Sequence, residues 1–313
     1  MSLTIRPFTF SDSDYQAYVD VFNAAHPEVP RAVPDIQHLD KSLGSDEVLG
    51  RWLVEVGGQV VGLVEYMSPE NPKAGTLDVR YRVLPEHKDL TPQMWAFLMA
   101  ETSKQNPKEL QTSGREDWDE VAFYRTQNFV EFDRWWGSIL DVQAFDPAPF
   151  ERPLAESIAI KTLSQFDWQS EEFQRHWHAL TEVTLMPDVP SVEPMIPWAF
   201  ENWQARHTTD PKLIPEGIFF AVEGDRLVGI SELYKSSRPQ TLQTGLTGTL
   251  ASHRRKGIAL ALKLKAAAFA KGYGVRYIRA SNHQLNRPML AINEAMGFQK
   301  EPAFVQMAKE WQP

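Results

Sequence analysis

The chain contains no cysteine. That removes a disulfide framework, a thiolate-ligated zinc site and a cysteine nucleophile. It also lacks any apolar run near the about 18–20 residues needed to cross a bilayer. The opening residues, MSLTIRPFTF, have neither the basic start nor the apolar stretch of a signal peptide. The expected compartment is therefore the cytoplasm, with no membrane partner. Positive charge is in deficit: 32 Lys and Arg stand against 41 Asp and Glu, a net charge of −9. A nucleic-acid binder needs a basic footprint, so that class is set aside. Low-complexity tracts are missing too. What is present is a globular composition of 313 residues, 42% hydrophobic, long enough for two cores of ~150 residues each.

The two halves echo each other. Arg51–Val56, Gly57-Gly58 and Gln59–Glu65 read as strand, turn and strand. So do Ile218–Glu223, Gly224-Asp225 and Arg226–Glu232. Smaller matches follow in the same order: Leu84–Lys88 with Leu250–Arg254, Asn128-Phe129 with Gly297-Phe298, and Pro27–Pro30 with Pro187–Pro190. Collinear pairs at a slowly drifting offset indicate a duplicated domain rather than a short-period solenoid. The proline-rich stretch Asp141–Ser157 reads as the linker. The expected domains are residues 1–145 and 157–313, each α/β with helix-like and strand-like segments alternating.

The stretch Thr241–Phe298 carries the chemistry. A β-like run, Leu246–Leu250, leads into a basic loop that ends at Gly257. A helix is expected over Ile258–Lys271, apolar nearly all round and so largely buried, with Gly272 and Gly274 as its stop. Strand, glycine-bearing loop and helix start together make an anion site. Free N–H groups and the helix dipole face outward there, and Arg254, Arg255 and Lys256 add three positive charges. This suits a pyrophosphate. The spacing is neither a Walker loop nor Gly-x-Gly-x-x-Gly, which disfavours a nucleotide or dinucleotide binder.

Arg254, Gly257 and Ala259 fall in the pattern Arg-x-x-Gly-x-Ala. An Asn-containing loop (Asn282, Asn286), a helix and Gly297-Phe298 follow. This series resembles the GNAT (Gcn5-related N-acetyltransferase) superfamily, and two copies in one chain resemble its mycothiol-synthase-like subgroup. The resemblance implies two tandem GNAT-like domains, each a central, mostly antiparallel sheet flanked by helices. It also implies that acetyl-CoA is the co-substrate. Thr249 and Leu250 would pair with the pantetheine arm, the amides from Arg255 through Lys256, Gly257 and Ile258 to Ala259 would hold the pyrophosphate, Asn286 would lie toward the sulfur, and Asn282 would be a further cofactor-binding residue. The first copy reads His87-Lys88-Asp89-Leu90-Thr91-Pro92 at the same place. With no glycine, an added carboxylate and a proline without an N–H, it is expected not to bind coenzyme A.

The implied reaction is direct attack of a primary amine, on a small molecule or peptide, at the thioester. No covalent intermediate is needed. Glu232, ending a strand, is the candidate base, although Glu65 holds the equivalent place in the first copy and so allows an inherited scaffold role. Asp188 and His253 are lesser candidates. In the family a tyrosine often stands four residues before Gly-Phe to protonate the thiolate. Here Asn293 stands there, so either another group such as Tyr234 or water is the acid, or the thiolate leaves unaided, or catalysis is poor. No metal is expected. Trp177, Met186, Met195, Trp198, Phe200 and Trp203 divide between core and acceptor pocket. The alternative class is a coenzyme A-binding sensor without turnover. A monomer or homodimer is expected.

Overall fold

The protein is described by a computed structural model covering residues 3–44, 46–69, 73–192 and 195–311. It divides into two units: Met1–Arg134 with Pro302–Pro313, and Trp135–Glu301.

The first unit runs β1 (Leu3–Pro7), α1 (Asp12–Ala25), α2 (Val33–Lys41), β2 (Leu49–Val56), β3 (Gln59–Met67), β4 (Thr76–Val83), α3 (Thr91–Ser103), β5 (Glu109–Arg115) and α4 (Asp119–Thr126). The chain continues through β6 (Val130–Asp141). The second unit follows with β7 (Ile158–Thr162), α5 (Glu171–His178), α6 (Phe200–His207), β8 (Ile218–Glu223), β9 (Arg226–Lys235) and β10 (Thr241–Thr249). It ends with α7 (Ile258–Tyr273), β11 (Tyr277–His283), α8 (Arg287–Ala295) and β12 (Gln299–Lys300); β13 (Phe304–Glu310) comes last. Each unit has the expected mixed α/β architecture. Its sheet is mostly antiparallel, with one parallel contact: β4 with β5 in the first unit, β10 with β11 in the second.

Both hairpins form where β-branched and aromatic residues flank glycine turns. Gly57 and Gly224 adopt φ of +60°, a region that glycine enters without steric cost.

The unit boundaries differ from the expected 1–145 and 157–313. In the first unit, β5 pairs antiparallel with β13 from the far end of the sequence, Phe304 opposite Arg115 through Glu310 opposite Glu109. In the second unit, β11 pairs with the Trp135–Asp141 part of β6. The physical reason is burial. Ala303, Val305 and Met307 are sealed in the first unit, Val305 and Met307 within its core beside Leu110. Alternation along the strand sets which face is buried but does not name the partner strand.

Helix α7 also departs from expectation. Ile258, Leu262, Lys263, Ala266, Ala267 and Ala270 form one buried stripe, while Lys265, Ala268 and the last turn are exposed. Its alanines are small enough to stand in water at little cost, so an apolar sequence need not be buried all round. Among the described residues no helix is long and apolar enough to cross a membrane, and no group of three His, Asp or Glu is placed to hold a metal.

Candidate functional site

In the second unit β10 and β11 pair only over Thr241–Gln243 and Tyr277–Arg279. Beyond that they part, while β10 stays paired with β9 as far as Thr249. The free edge of β10 therefore runs to the basic loop. There the chain turns through Arg255 (φ +60°) and Gly257 (φ +77°) into α7. The first bond of α7 runs from the Ala261 N–H to the Gly257 carbonyl. The amides of Ile258, Ala259 and Leu260 thus have no intrahelical acceptor, and Gly257 offers no side-chain cap. A Cβ at Gly257 would meet nothing within 4 Å. The glycine is needed for its left-handed conformation, and the space beside it is open to a ligand. Ile258 is buried and anchors the helix start, leaving Arg254, Arg255 and Lys256 exposed around it. Donors and positive charge thus converge on one open point, which is what a pyrophosphate requires.

The loop is held by its neighbours. His253 is buried, with Nδ1 2.9 Å from Ser252 Oγ and Nε2 3.1 Å from Glu223 Oε2. The His253 hydrogen bond holds the Glu223 carboxyl below its ordinary range. With both ring nitrogens engaged, His253 is a brace rather than a free base. Arg254 pairs with Asp188. Both side chains are about half exposed, so solvent screens the pair and a phosphate can compete for the guanidinium.

Glu232 lies on β9 opposite an irregularity in β10. The β9–β10 register shifts between Thr244 and Thr247, and the extra residue frees the Leu246 N–H, which donates to Glu232 Oε2 at 2.8 Å. The carboxyl is 4% exposed. Burial pushes its pKa up to about 7; the Leu246 amide, the Trp177 indole and Tyr234 offset part of that, while Glu182 adds to it. The Trp177 indole N–H makes no full hydrogen bond and lies in the buried interior, so its effect on Glu232 is electrostatic. Gly245 is required at the bulge. A Cβ there would stand 2.5 Å from Glu232 Oε2 and 2.7 Å from the Tyr234 ring. The structure therefore brings Glu232, Tyr234 and the bulge together. The Tyr234 phenol is pushed well above its ordinary value by burial and then by Glu232, so it keeps its proton.

Asn293 sits apart from this group on α8, buried. Its Nδ2 donates to Asn282 Oδ1 at 2.6 Å, and its own Oδ1 has no partner. Asn286 is the cap of α8, its side chain accepting from the Met289 N–H; Pro288 in the first turn of that helix was a visible sign of such a cap. Thr249 and Leu250 end the β10 edge, both buried. Trp177 and Trp203 pack edge to face at 5.1 Å and are fully buried core, with Phe200 stacked on Trp203. Trp198 is half-buried, and its backbone N–H donates to Glu182 Oε2 at 3.2 Å.

Sequence reasoning missed two features. One is the bulge, for which the glycine inside TLQTGLTGT was the available signal. The other is the π-helical turn Ala179–Leu185, which carries buried Glu182 and sets Leu185 against Gly248. No local sequence signal marks it.

The first unit shows the contrast. Its β3–β4 ladder runs without a shift from Gly62–Val83 to Met67–Asp78, so Arg80 stands where the bulge would be, directly opposite Glu65. Glu65 is buried, and its Oε2 accepts from Arg51 Nε at 2.8 Å. Burial opposes its charge, but Arg51 and then Arg80 outweigh it and hold the carboxyl below its ordinary value. Tyr124, four residues before Asn128, is sealed in the core, its hydroxyl accepting from the Tyr81 N–H at 3.4 Å.

A sequence model of the Acetyltransferase (GNAT) family matches residues 165–298. Among solved structures, the chain is similar to a tandem GNAT protein from the clavulanic acid biosynthesis pathway, at 20% identity and a TM-score of 0.78, covering 100% of this chain and 99% of that one. It is also similar to a GCN5-related N-acetyltransferase from Sphaerobacter thermophilus, at 19% identity and a TM-score of 0.69, covering 99% and 96%. A GNAT-family acetyltransferase from Colwellia psychrerythraea aligns at 12% identity and a TM-score of 0.62, covering 99% and 100%. At these identities the structural likeness establishes the tandem fold. No curated protein sequence matches the chain.

Proposed function

We propose, from the match of residues 165–298 to the Acetyltransferase (GNAT) family model, that the second unit moves an acetyl group from acetyl-CoA to a primary amine of a small molecule or peptide. The observation that carries this reading is a pairing within one unit. Unsatisfied amides and three cations stand at the start of α7, and a buried carboxyl poised near neutrality faces the bulge of the strand that leads there. The residues present fit the co-substrate. Ile258, Ala259 and Leu260 would donate to the pyrophosphate, Arg255 and Lys256 would neutralise it, and the unpaired edge of β10 to Leu250 would lie along the pantetheine arm.

In this reading the amine nitrogen attacks the thioester carbonyl carbon, the carbon–sulfur bond breaks, and one ammonium proton passes to Glu232, directly or through water. A base with a pKa of about 7 is well matched to that task at neutral pH. The thiolate must gain a proton. Asn293 cannot supply one, and the Tyr234 phenol holds its own tightly. The ammonium, however, sheds two protons in becoming the amide, so the second nitrogen proton, or the one Glu232 has taken, passes to the thiolate directly or through water. Much of the rate would come from holding amine and thioester in line.

Asn293 favours one second reading, coenzyme A binding without turnover. Two measurements separate them: calorimetry with coenzyme A, and thiol release from acetyl-CoA with a panel of polyamines, amino acids and aminoglycosides. Wild type should bind one coenzyme A, and Gly257→Glu, which sets a carboxylate in the open phosphate position, should bind at least about tenfold more weakly. Binding without thiol release for any amine supports the sensor; unchanged affinity in Gly257→Glu sinks both.

A further inference from the structure

The first unit contains a cavity of about 440 Å³ that the acetyl-transfer reading does not use. It lies at the end of β4 and the starts of α3 and α4, the counterpart of the β10–α7 cleft in the second unit. Its walls are not those of a phosphate site. The stretch Pro85–Leu90 is wound into a 3₁₀ turn that closes on itself, with the His87 N–H on the Leu84 carbonyl. Pro92 removes an amide at the start of α3, and Lys88 is paired with Asp119. What lines the space instead is apolar and flat: Tyr81, Val83, Pro92, Trp118 and Phe123.

The polar residues of the lining are His26, Lys88, Thr91, Asp117, Asp119 and Glu120; Lys88 and Asp119 pair with each other, and His26 is the buried imidazole among them. His26 is 3% exposed and stacks on Trp118 with centroids 3.6 Å apart. Its Nε2 meets Glu120 Oε1 at 3.0 Å. Glu120 is buried; that opposes its charge, but the His26 bond and the Arg82 guanidinium outweigh burial and hold it ionised. An ionised carboxylate only accepts, so Nε2 carries the proton and, in the neutral imidazole, Nδ1 presents a lone pair. Nδ1 has no protein partner among the described residues, and His26 lines the cavity. A buried imidazole oriented by a carboxylate, with its free acceptor in a ring-lined space, is an arrangement that a core does not need.

We propose that this cavity binds a small, flat, mainly apolar molecule that offers one N–H or O–H donor to His26 Nδ1. The volume lies within the range of about 300–1,000 Å³ typical of small-molecule sites. The stacked rings supply contact area, and the acceptor held beside Trp118 supplies orientation. The duplicated fold thereby keeps a ligand cleft in the first unit while changing its chemistry from diphosphate to aromatic donor.

The test uses the full chain and ligand-observed NMR with two isosteric probes, indole and indene. Indole carries the N–H and indene does not. Indole should bind about five- to tenfold more tightly than indene, the worth of one hydrogen bond to a neutral acceptor. Ala25→Phe, which fills the cavity from the end of α1, should abolish binding of both. Pro92→Phe does the same from an exposed position and serves should the first variant unfold. Equal affinity for the two probes, no binding of either, or binding that survives both filled variants overturns the proposal. So does a calorimetric stoichiometry of two coenzyme A per chain that falls to one in Pro92→Phe. Indole binding in a chain that takes up no coenzyme A at all supports this cavity and counts only against the reading of the second unit.

Discussion

Replacing Glu232 with glutamine should make the second unit more stable at alkaline pH while it removes the proposed base. A free glutamate titrates at 4.5, and burial pushes Glu232 up to about 7. The folded protein therefore holds a proton that the unfolded chain has released, and stability falls as pH rises through that interval. Below pH 4.5 both states are protonated and the effect is nil. Above pH 7 it is complete, and at about 1.4 kcal/mol per pH unit the separation amounts to about 3 kcal/mol. Glutamine keeps an oxygen for the Leu246 N–H but has no charge to desolvate. Urea unfolding of both proteins at pH 5 and pH 8, with m-values checked for equality, should show Glu232→Gln gaining about 2–3 kcal/mol on wild type between the two. All other titrating groups cancel in that difference. The same variant should lose about 10²–10⁴ in kcat/KM, together with any limb of the pH–rate profile near 7. A stability difference that does not change with pH would refute the assigned ionisation, whatever happens to the rate.

Two further outcomes follow from the first unit and from the strand exchange. Glu65→Gln should act with the opposite sign, destabilising by about 3 kcal/mol because it leaves Arg51 short of a buried partner, with acetyl transfer by the folded protein unchanged; urea midpoints that do not move would contradict the pairing at 2.8 Å. Deleting residues 302–313 should open the first unit rather than the second, since it strips the edge of β5 and removes Val305 and Met307 from the core. Limited proteolysis with mass mapping should then find the early cuts before residue 134, and cuts confined to 135–301 would argue against the exchange.

How much of this was legible in sequence depends on range. The hairpins at Gly57 and Gly224, helix α7 and its glycine stop are local, and periodicity with turn chemistry was enough to place them. The strand, loop and helix start proposed to hold an anion were legible for the same reason, since they adjoin in sequence. The strand exchange was not, because the apolar alternation of β13 is satisfied by any sheet of the right depth, and what selects β5 is a long-range match. The setting of Glu232 was hidden for a different reason. Its charge state depends on Trp177, Glu182 and Leu246, which meet only after α5, the π turn and β10 have packed. Asn286, expected near the cofactor sulfur, also caps α8, a local role that Pro288 signals in sequence.

The presence of a glutamate at the same place in both copies looks, from sequence, like scaffold inherited by both. The two environments argue otherwise. In the first unit the ladder is regular, an arginine stands opposite, a second arginine donates at 2.8 Å, and the carboxyl is fixed as an anion. In the second unit Ile218 stands where Arg51 pairs in the first, one extra residue in β10 sets a backbone N–H where Arg80 would stand, and glycine at the bulge leaves the carboxyl room. An N–H dipole compensates a buried charge far less than a guanidinium does, so the proton returns near neutrality. What separates a structural ion pair from the proposed base here is the pair of neighbouring strands, an isoleucine for Arg51 on one side and a shifted register on the other, rather than the identity of the acidic residue. Deleting Gly245 to restore the regular ladder should then lower the Glu232 pKa only if a cation is supplied with it. Without one, the bulge-free strand would bury the carboxyl with fewer donors and raise its pKa further, a difference that carboxyl-selective NMR titration would resolve.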